Sequence, residues 1–107
     1  MRSRTPYKLV YDIGVLRHLA CIDRKHHALI REEIERALLY EPTRETRNRK
    51  PLTRPSVLDS AWELRCGAGN CFRIFYRTDQ DAREVRILAI GIKERDRLSV
   101  GGEEFPL

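Results

Sequence analysis

The sequence predicts a single-domain α+β fold with the element order β-α-α-β-β-β, in which a helical hairpin packs on a mainly antiparallel four-stranded sheet. Three observations indicate this class. Apolar residues recur at helical spacing in the N-terminal part of the chain, and they alternate with period two in the C-terminal part. The third observation is size, because 107 residues, 41% of them hydrophobic, suffice for one buried core and argue against disorder.

The N-terminal part is predicted to form one strand and two helices. Residues 7–11 are rich in strand formers, and the apolar spacing that follows predicts a short helix ending near Ile22. A second helix is predicted from Arg24 to Tyr40, because its apolar residues form one stripe and Pro42 disfavours helical geometry in the residue before it. The short link between the two helices predicts an antiparallel helical hairpin.

Three strands are predicted in the second half of the chain. Residues 62–66 and 72–77 alternate apolar and polar side chains on either side of a glycine-rich turn, which is typical of a β-hairpin. Residues 85–92 are mostly apolar, which predicts a central strand covered on both faces. The Gly-Gly pair after this region is expected to reverse the chain, so that Phe105 and Leu107 lie over the core.

The predicted hairpin brings two arginines to one face of the sheet. If its apolar residues share the core face, Leu64 is expected to face Ile74, and Arg65 then faces Arg73. The neighbouring register still leaves these two arginines close together. Like charges placed opposite each other destabilise a sheet unless something anionic lies between them.

The cysteines and the hydropathy pattern indicate the compartment. Cys21, Cys66 and Cys71 show no metal-binding spacing, and an odd number of cysteines suits a reducing environment. Strand alternation places Cys66 and Cys71 on opposite faces, so no disulfide is expected between them. No apolar stretch reaches the roughly 20 residues that span a bilayer, and no apolar segment follows the basic N-terminus. We therefore expect a cytoplasmic protein that does not contact a membrane.

Positive charge is concentrated in three places. The chain has 21 Lys and Arg against 16 Asp and Glu, a formal net charge of +5. The basic residues crowd into the loop 44–54, onto the strand face of Arg65, Arg73 and Arg77, and into residues 93–97. A nucleic-acid backbone is the obvious partner for such a surface. The alternative is an ordinary solvated surface on which the arginines pair with neighbouring carboxylates.

The sequence lacks the common motifs of metal-dependent and covalent catalysis. It has no phosphate-binding glycine loop, no His-Glu-x-x-His, no Gly-x-Ser-x-Gly and no zinc pattern, so neither a metal nor another cofactor is expected. The histidines are interpreted as solvent-facing or boundary residues. RNA cleavage by the substrate's own 2′-hydroxyl remains feasible, because it needs only a base, a cation at the phosphate and an acid.

Four blocks of the sequence resemble those of the RelE/ParE superfamily, the toxins of bacterial toxin–antitoxin pairs. The blocks are KPL at 50–52, WELRCG at 62–67, FRIFY at 72–76 and AIGIK at 89–93. Their order and spacing extend the resemblance over residues 7–98. It implies that residues 1–107 form one toxin domain of this fold.

The resemblance implies a ribosome-dependent, metal-independent mRNA endonuclease that inhibits translation and is neutralised by a cognate antitoxin. By this analogy Arg73 would stabilise the phosphorane, while Arg65 and Lys93 would bind and polarise the scissile phosphate. The candidate substrate-binding residues are Arg49, Lys50, Arg54, Arg95 and Arg97. The implied partners are the antitoxin, the ribosome and mRNA. The antitoxin is expected to be an acidic extended or helical segment that crosses the helices and the basic face. The oligomeric state is not predicted.

The sequence departs from the family pattern at the acid and base. The Tyr that RelE-like enzymes carry after the last strand falls on Ser99, and a Glu that some relatives use falls on Lys50. Glu63 is the nearby carboxylate on the predicted face and is the candidate acid or base. The ParE branch shares the fold, lacks the nuclease residues and inhibits DNA gyrase. A non-enzymatic gyrase inhibitor and a noncatalytic RNA- or ribosome-binding module are therefore the alternatives.

Overall fold

The strands of the described residues form a single sheet of seven strands. The computed structural model describes residues 5–53 and 59–105. Its elements are β1 (Lys8–Tyr11), α1 (Val15–Ala20), α2 (His27–Leu38), β2 (Arg49–Pro51), β3 (Trp62–Cys66), β4 (Phe72–Asp79), β5 (Glu84–Glu94), β6 (Arg97–Val100) and β7 (Glu103–Phe105). The sheet order is β2-β3-β4-β5-β6-β7, and β1 pairs with β5. The β1–β5 pair is parallel and the other pairs are antiparallel. The α+β class and the mainly antiparallel sheet are thus confirmed.

The prediction of four strands is wrong, because the described part of the chain contains seven. The additional strands β2, β6 and β7 have three or four residues each. Segments this short show too few alternations for a period to be recognised. Their pairing depends on the longer strand beside each of them.

The predicted helical hairpin is also wrong. The first helix, α1, has six residues, less than two turns, and α2 is the one long helix in the described residues. Between them Arg24–His26 form a 3₁₀ turn, whose first N–H groups are capped by Asp23 through a bond from Lys25 N to Oδ1 of 3.0 Å. The turn leads directly into α2, so no second helix of comparable length lies antiparallel to it.

Strand β5 is the centre of the sheet, as predicted. One of its edges pairs with β4, and its other edge is shared by two strands: Glu84–Ile87 pair with β1, and Gly91–Glu94 pair with β6. Helix α1 packs at the gap between these two ladders, where the side chain of His18 accepts a hydrogen bond from the N–H of Ile90. A short helix therefore fits this position.

The sheet has two distinct faces. The helix face carries the main core, which includes Leu64, Ile74 and Tyr76 together with Ile30 and Ile34 of α2. The opposite face, called the outer face below, carries a smaller apolar cluster. This cluster consists of Phe75, Ala89, Leu98 and Val100, with Leu52 and Phe105 packed against it.

The C-terminal segment reverses direction at the glycine pair, as predicted. Gly101 and Gly102 have φ of 60° and 84°, values that suit glycine. Phe105 packs on the smaller apolar cluster, whereas Leu107 lies outside the described residues.

The described helices also bear on the membrane prediction. None of them combines the length and the apolar character needed to cross a bilayer.

Candidate nucleic-acid interface

The register of the β3–β4 hairpin is the predicted one. Leu64 pairs with Ile74 and Arg65 pairs with Arg73. Because Leu64 and Ile74 belong to the main core, alternation directs both arginines to the outer face. The prediction that these two guanidinium groups share one face is confirmed.

One carboxylate lies between the two arginines. The Nε of Arg65 donates to Oε1 of Glu63 at 2.7 Å, and Nη1 of Arg73 donates to Oε2 of the same group at 3.4 Å. Glu63 thereby supplies the anion that two opposed cations require. Since it is shared, the three side chains retain one net positive charge.

The three side chains differ in how far they reach solvent. The side chains of Glu63 and Arg73 are 10% exposed, whereas that of Arg65 is 37% exposed. Arg73 is held further by a bond from its Nε to the carbonyl oxygen of Asn70 at 3.0 Å. Arg65 is therefore the accessible guanidinium, and Arg73 is a fixed charge behind it.

Two lysines extend the positive charge across neighbouring strands. Lys50 on β2 pairs with Glu63. Gly91 pairs with Arg73, and Lys93 lies two residues after Gly91 on the same strand. The side chain of Lys93 therefore also projects from the outer face. The ammonium group of Lys93 has no hydrogen-bond or ion-pair partner among residues 5–53 and 59–105, while Lys50 Nζ lies 3.7 Å from a carboxylate oxygen of Glu45.

We call Lys50, Glu63, Arg65, Arg73 and Lys93 the cationic row. It crosses four adjacent strands, a width of about 14 Å at the usual strand spacing. The smaller apolar cluster borders it, because Phe75 pairs with Glu63 and Leu98 pairs with Lys93. Apolar neighbours of this kind lower the local dielectric and strengthen the attraction of an anion to the row.

Gly91 has a packing role within the same motif as Lys93. A Cβ at this position would lie 2.8 Å from Ser99 O and 2.8 Å from Val100 Cγ2. The absence of a side chain therefore allows β6 to pack closely on β5. The glycine supports the end of β5 from which Lys93 projects.

Arg49 was predicted to bind substrate, and the structure places it elsewhere. It pairs with Leu64 on the helix face and is buried. Its Nε donates to the carbonyl oxygen of Arg44 at 2.6 Å, and its Nη1 donates to that of Ala37 near the end of α2. Arg49 ties the loop to the helix, so it does not join the cationic row.

Arg97 and Ser99 also lie away from the row. Ser99 pairs with Ile92, which packs on the main core, and Arg97 has the same parity along β6. Arg97 forms an ion pair with Glu104 at 3.1 Å. Ser99, at the position of the family Tyr, is thus directed to the opposite side of the sheet from Arg73.

The remaining predicted basic residues are distributed as follows. Arg95 is exposed in the turn between β5 and β6, with φ of 57°. Arg77 is on the outer face but pairs with Arg86, four residues along β4 from Arg73. Arg54 lies outside the described residues. Of the predicted substrate-binding residues in the described ranges, Lys50 is the one that the sheet register brings into the row.

The contribution of the β3–β4 turn was not anticipated. Asn70 has φ of 55° and its carbonyl oxygen accepts the bond from Arg73 Nε. Only the spacing of three residues between Asn70 and Arg73 could have suggested this contact. Because the acceptor is a backbone carbonyl group, the residue type at position 70 does not indicate the contact.

The cysteines do not provide a nucleophile at this site. Cys66 and Cys71 are free, and both pack on the main core, so the expectation that they occupy opposite faces is wrong. Strand alternation does not apply to Cys71, because it lies in the turn before β4. Burial raises the pKa of Cys66 to about 12, which keeps this thiol protonated at neutral pH.

The fold and the site together define an α+β protein with a cationic row on the outer face of its sheet. Comparisons of the chain with protein-family models, curated proteins and solved structures found no match. Within residues 5–53 and 59–105, no group of three or more His, Cys, Asp and Glu side chains is arranged to hold a metal ion.

Proposed function

We propose that this chain is the toxin of a type II toxin–antitoxin pair with a RelE/ParE-like domain. In this proposal it is a cytoplasmic, ribosome-dependent and metal-independent mRNA endonuclease. The observation that carries the proposal is the placement of Arg65 opposite Arg73, with Glu63 bonded to both and Lys93 on the same face. The four sequence blocks and the order of strands and helices along the chain add support. The described residues form no helical hairpin, because α1 has six residues.

The row contains the groups that cleavage by a 2′-hydroxyl requires. The ribose oxygen attacks the adjacent phosphorus, an O2′–P bond forms, and the P–O5′ bond breaks to give a cyclic phosphate and a 5′-hydroxyl. Glu63 accepts the proton of the 2′-hydroxyl, and the ammonium of Lys93 supplies a proton to the leaving oxygen. Arg65 binds the phosphate oxygens, because it is the exposed guanidinium of the row.

Arg73 has a different part in this scheme. Its side chain is nearly buried and is bonded to both Glu63 and Asn70. It orients the carboxylate and adds a fixed positive charge close to the phosphorane. Charges held in place before the reaction stabilise the transition state without reorganisation.

The antitoxin is proposed to neutralise the same surface. Four cations and one carboxylate give the cationic row a formal charge of +3. An acidic segment lying across it would be steered there electrostatically and would exclude the RNA phosphates.

A non-enzymatic toxin that binds DNA gyrase is the second candidate. One observation favours it. Ser99, at the position of the family Tyr, faces away from the row, so Glu63 is the acid–base group that is left, and Glu63 is already bonded to Arg65. A noncatalytic RNA- or ribosome-binding module would use the same cations without a base.

The decisive experiment incubates the purified chain with ribosomes programmed with a defined mRNA in the presence of EDTA. We expect primer extension to map new 5′ ends, and we expect a 2′-deoxy substitution at the cut nucleotide to prevent cleavage. Arg65→Ala should weaken the cut by roughly 100-fold. If the message stays intact while DNA gyrase is inhibited, the nuclease proposal is wrong and the second candidate replaces it.

A further inference from the structure

A polar cavity lies at the edge of the sheet beside the cationic row. It has a volume of about 420 Å³ and lies between the end of α2 and the loop that precedes β2. Tyr40, Glu41, Arg47, Asn48 and Leu64 are among the residues that line it. The volume is within the range of about 300–1,000 Å³ that is usual for small-ligand sites.

The cavity lies around the edge of the sheet from the cationic row, since Arg49 and Leu64 of the helix face also line it. The backbone N–H of Arg65 donates to the carbonyl oxygen of Asn48 at 2.8 Å. Residues bonded in this way across neighbouring segments lie about 5 Å apart at their Cα atoms. A chain that contacts Arg65 on the outer face could therefore pass around the edge of the sheet and enter the cavity.

Two polar side chains in the cavity lack partners in the described part of the protein. The guanidinium of Arg47 and the amide of Asn48 are exposed and form no hydrogen bond or ion pair with residues 5–53 or 59–105. The other arginines nearby are engaged. Arg36 is bonded to Glu33, and Arg49 donates to backbone carbonyls.

An aromatic ring completes the cavity. Tyr40 follows α2 and is 42% exposed. Single-stranded RNA is recognised by stacking of its bases on aromatic rings, by hydrogen bonds to the base edges and by cations at the phosphates. Tyr40, Asn48 and Arg47 provide one group of each kind.

We infer that this cavity binds a nucleotide of single-stranded RNA adjacent to the one held on the cationic row. The Tyr40 ring stacks on the base, the Asn48 amide bonds to the base edge, and Arg47 contacts the phosphate. The inference rests on the proposed function for the identity of its ligand. It adds a site that selects the sequence next to the cleaved bond.

The test measures binding of single-stranded oligoribonucleotides that contain 2-aminopurine to the full chain, by fluorescence anisotropy over a range of salt concentrations. Tyr40→Ala should weaken binding about 10-fold and remove the fluorescence quenching that stacking causes, whereas Tyr40→Phe retains both. Arg47→Ala should reduce the slope of log K against log salt by about 0.7, the value for one lost phosphate contact on a single strand.

Arg31→Ala is the matched control for charge, because Arg31 is an exposed arginine of α2 that does not line this cavity. We expect it to leave the salt slope and the quenching unchanged. Thermal unfolding of each variant checks that the fold is retained.

The outcomes separate this inference from the proposed function. If Arg65→Ala weakens RNA binding but the Tyr40 and Arg47 variants match the wild type, the cavity does not bind RNA and the inference is overturned. If the cavity variants behave as expected while ribosome-bound mRNA is not cleaved, the inference is supported and the nuclease proposal fails. If the wild type binds no RNA, the inference is overturned, and cleavage on programmed ribosomes decides the nuclease proposal separately.

Discussion

The Nδ1 atom of His18 accepts a hydrogen bond of 3.3 Å from the backbone N–H of Ile90. This N–H lies in the gap between the β1 and β6 ladders on one edge of β5. Because Nδ1 accepts this bond, the buried imidazole is neutral in this arrangement, with its proton on Nε2. The imidazole here takes the place of the backbone acceptor that a neighbouring strand would otherwise provide.

The first prediction concerns pH. Burial lowers the pKa of His18 below its ordinary value of 6.5, nearby Arg17 lowers it further, and Asp12 opposes this effect. As the pH falls, the unfolded chain therefore takes up the proton at a higher pH than the folded chain does. The stability that neutral His18 contributes above pH 6.5 is lost as the pH falls below 6.5. Urea unfolding at pH 7.5 and 5.5 measures the change. His18→Asn should reduce the pH dependence, whereas His26→Asn should preserve it.

The second prediction concerns the carboxylate of the cationic row. Glu63→Gln leaves Arg65 and Arg73 opposed without an anion, so we expect the free energy of unfolding to fall by about 3 kcal/mol. RNA affinity should rise because the row gains positive charge, while mRNA cleavage is lost with the base. Glu103→Gln makes the same change in charge on β7. Equal effects of the two variants on cleavage would contradict a specific role for Glu63.

The third prediction compares two arginines of the outer face. Arg65→Ala should reduce the rate of mRNA cleavage by roughly 100-fold, the usual effect of removing one group that stabilises developing charge. Arg77→Ala removes the same charge four residues beyond Arg73 and should change the rate by less than about 3-fold. Single-turnover cleavage on programmed ribosomes measures both rates. A comparable loss in both variants would indicate a diffuse electrostatic surface instead of a site.

The fourth prediction separates the roles of two glycines. Gly91→Ala places a Cβ 2.8 Å from Ser99 O, so we expect a loss of about 2 kcal/mol in unfolding free energy. Gly69→Ala meets no atom within 4 Å, but φ is 62° there, which costs about 1 kcal/mol. Chemical denaturation of both variants tests the order. A smaller loss for Gly91→Ala would show that β6 can move away from β5.

The fifth prediction follows from the position of Arg49. Its removal in Arg49→Ala leaves the carbonyl oxygens of Ala37 and Arg44 without their donor, which should cost about 2 kcal/mol of stability. The salt dependence of RNA binding should not change, because the guanidinium, although it lines the cavity, is engaged by these two carbonyl oxygens. Lys50→Ala, one residue along the chain, should do the opposite. A reduced salt slope for Arg49→Ala would contradict this assignment.

Alternation along two strands was sufficient to predict the centre of the candidate site. The apolar residues of β3 and β4 share one face, so Arg65 and Arg73 share the other, and the same parity makes them direct partners. Arg49 and Lys50 show the limit of such reasoning. Both stand in a basic loop without a period, and only the pairing of β2 with β3 sends one to each face.

The sequence by itself determined the α+β class, the central position of β5 and the common face of Arg65 and Arg73. These follow from side-chain periods, which are local and can be seen along a single strand. The tertiary structure decided the reduction of α1, the burial of Arg49, the turn of Arg97 away from the row and the cavity beside Asn48. Those features depend on contacts between segments distant in sequence, and such contacts impose no period on the residues that make them.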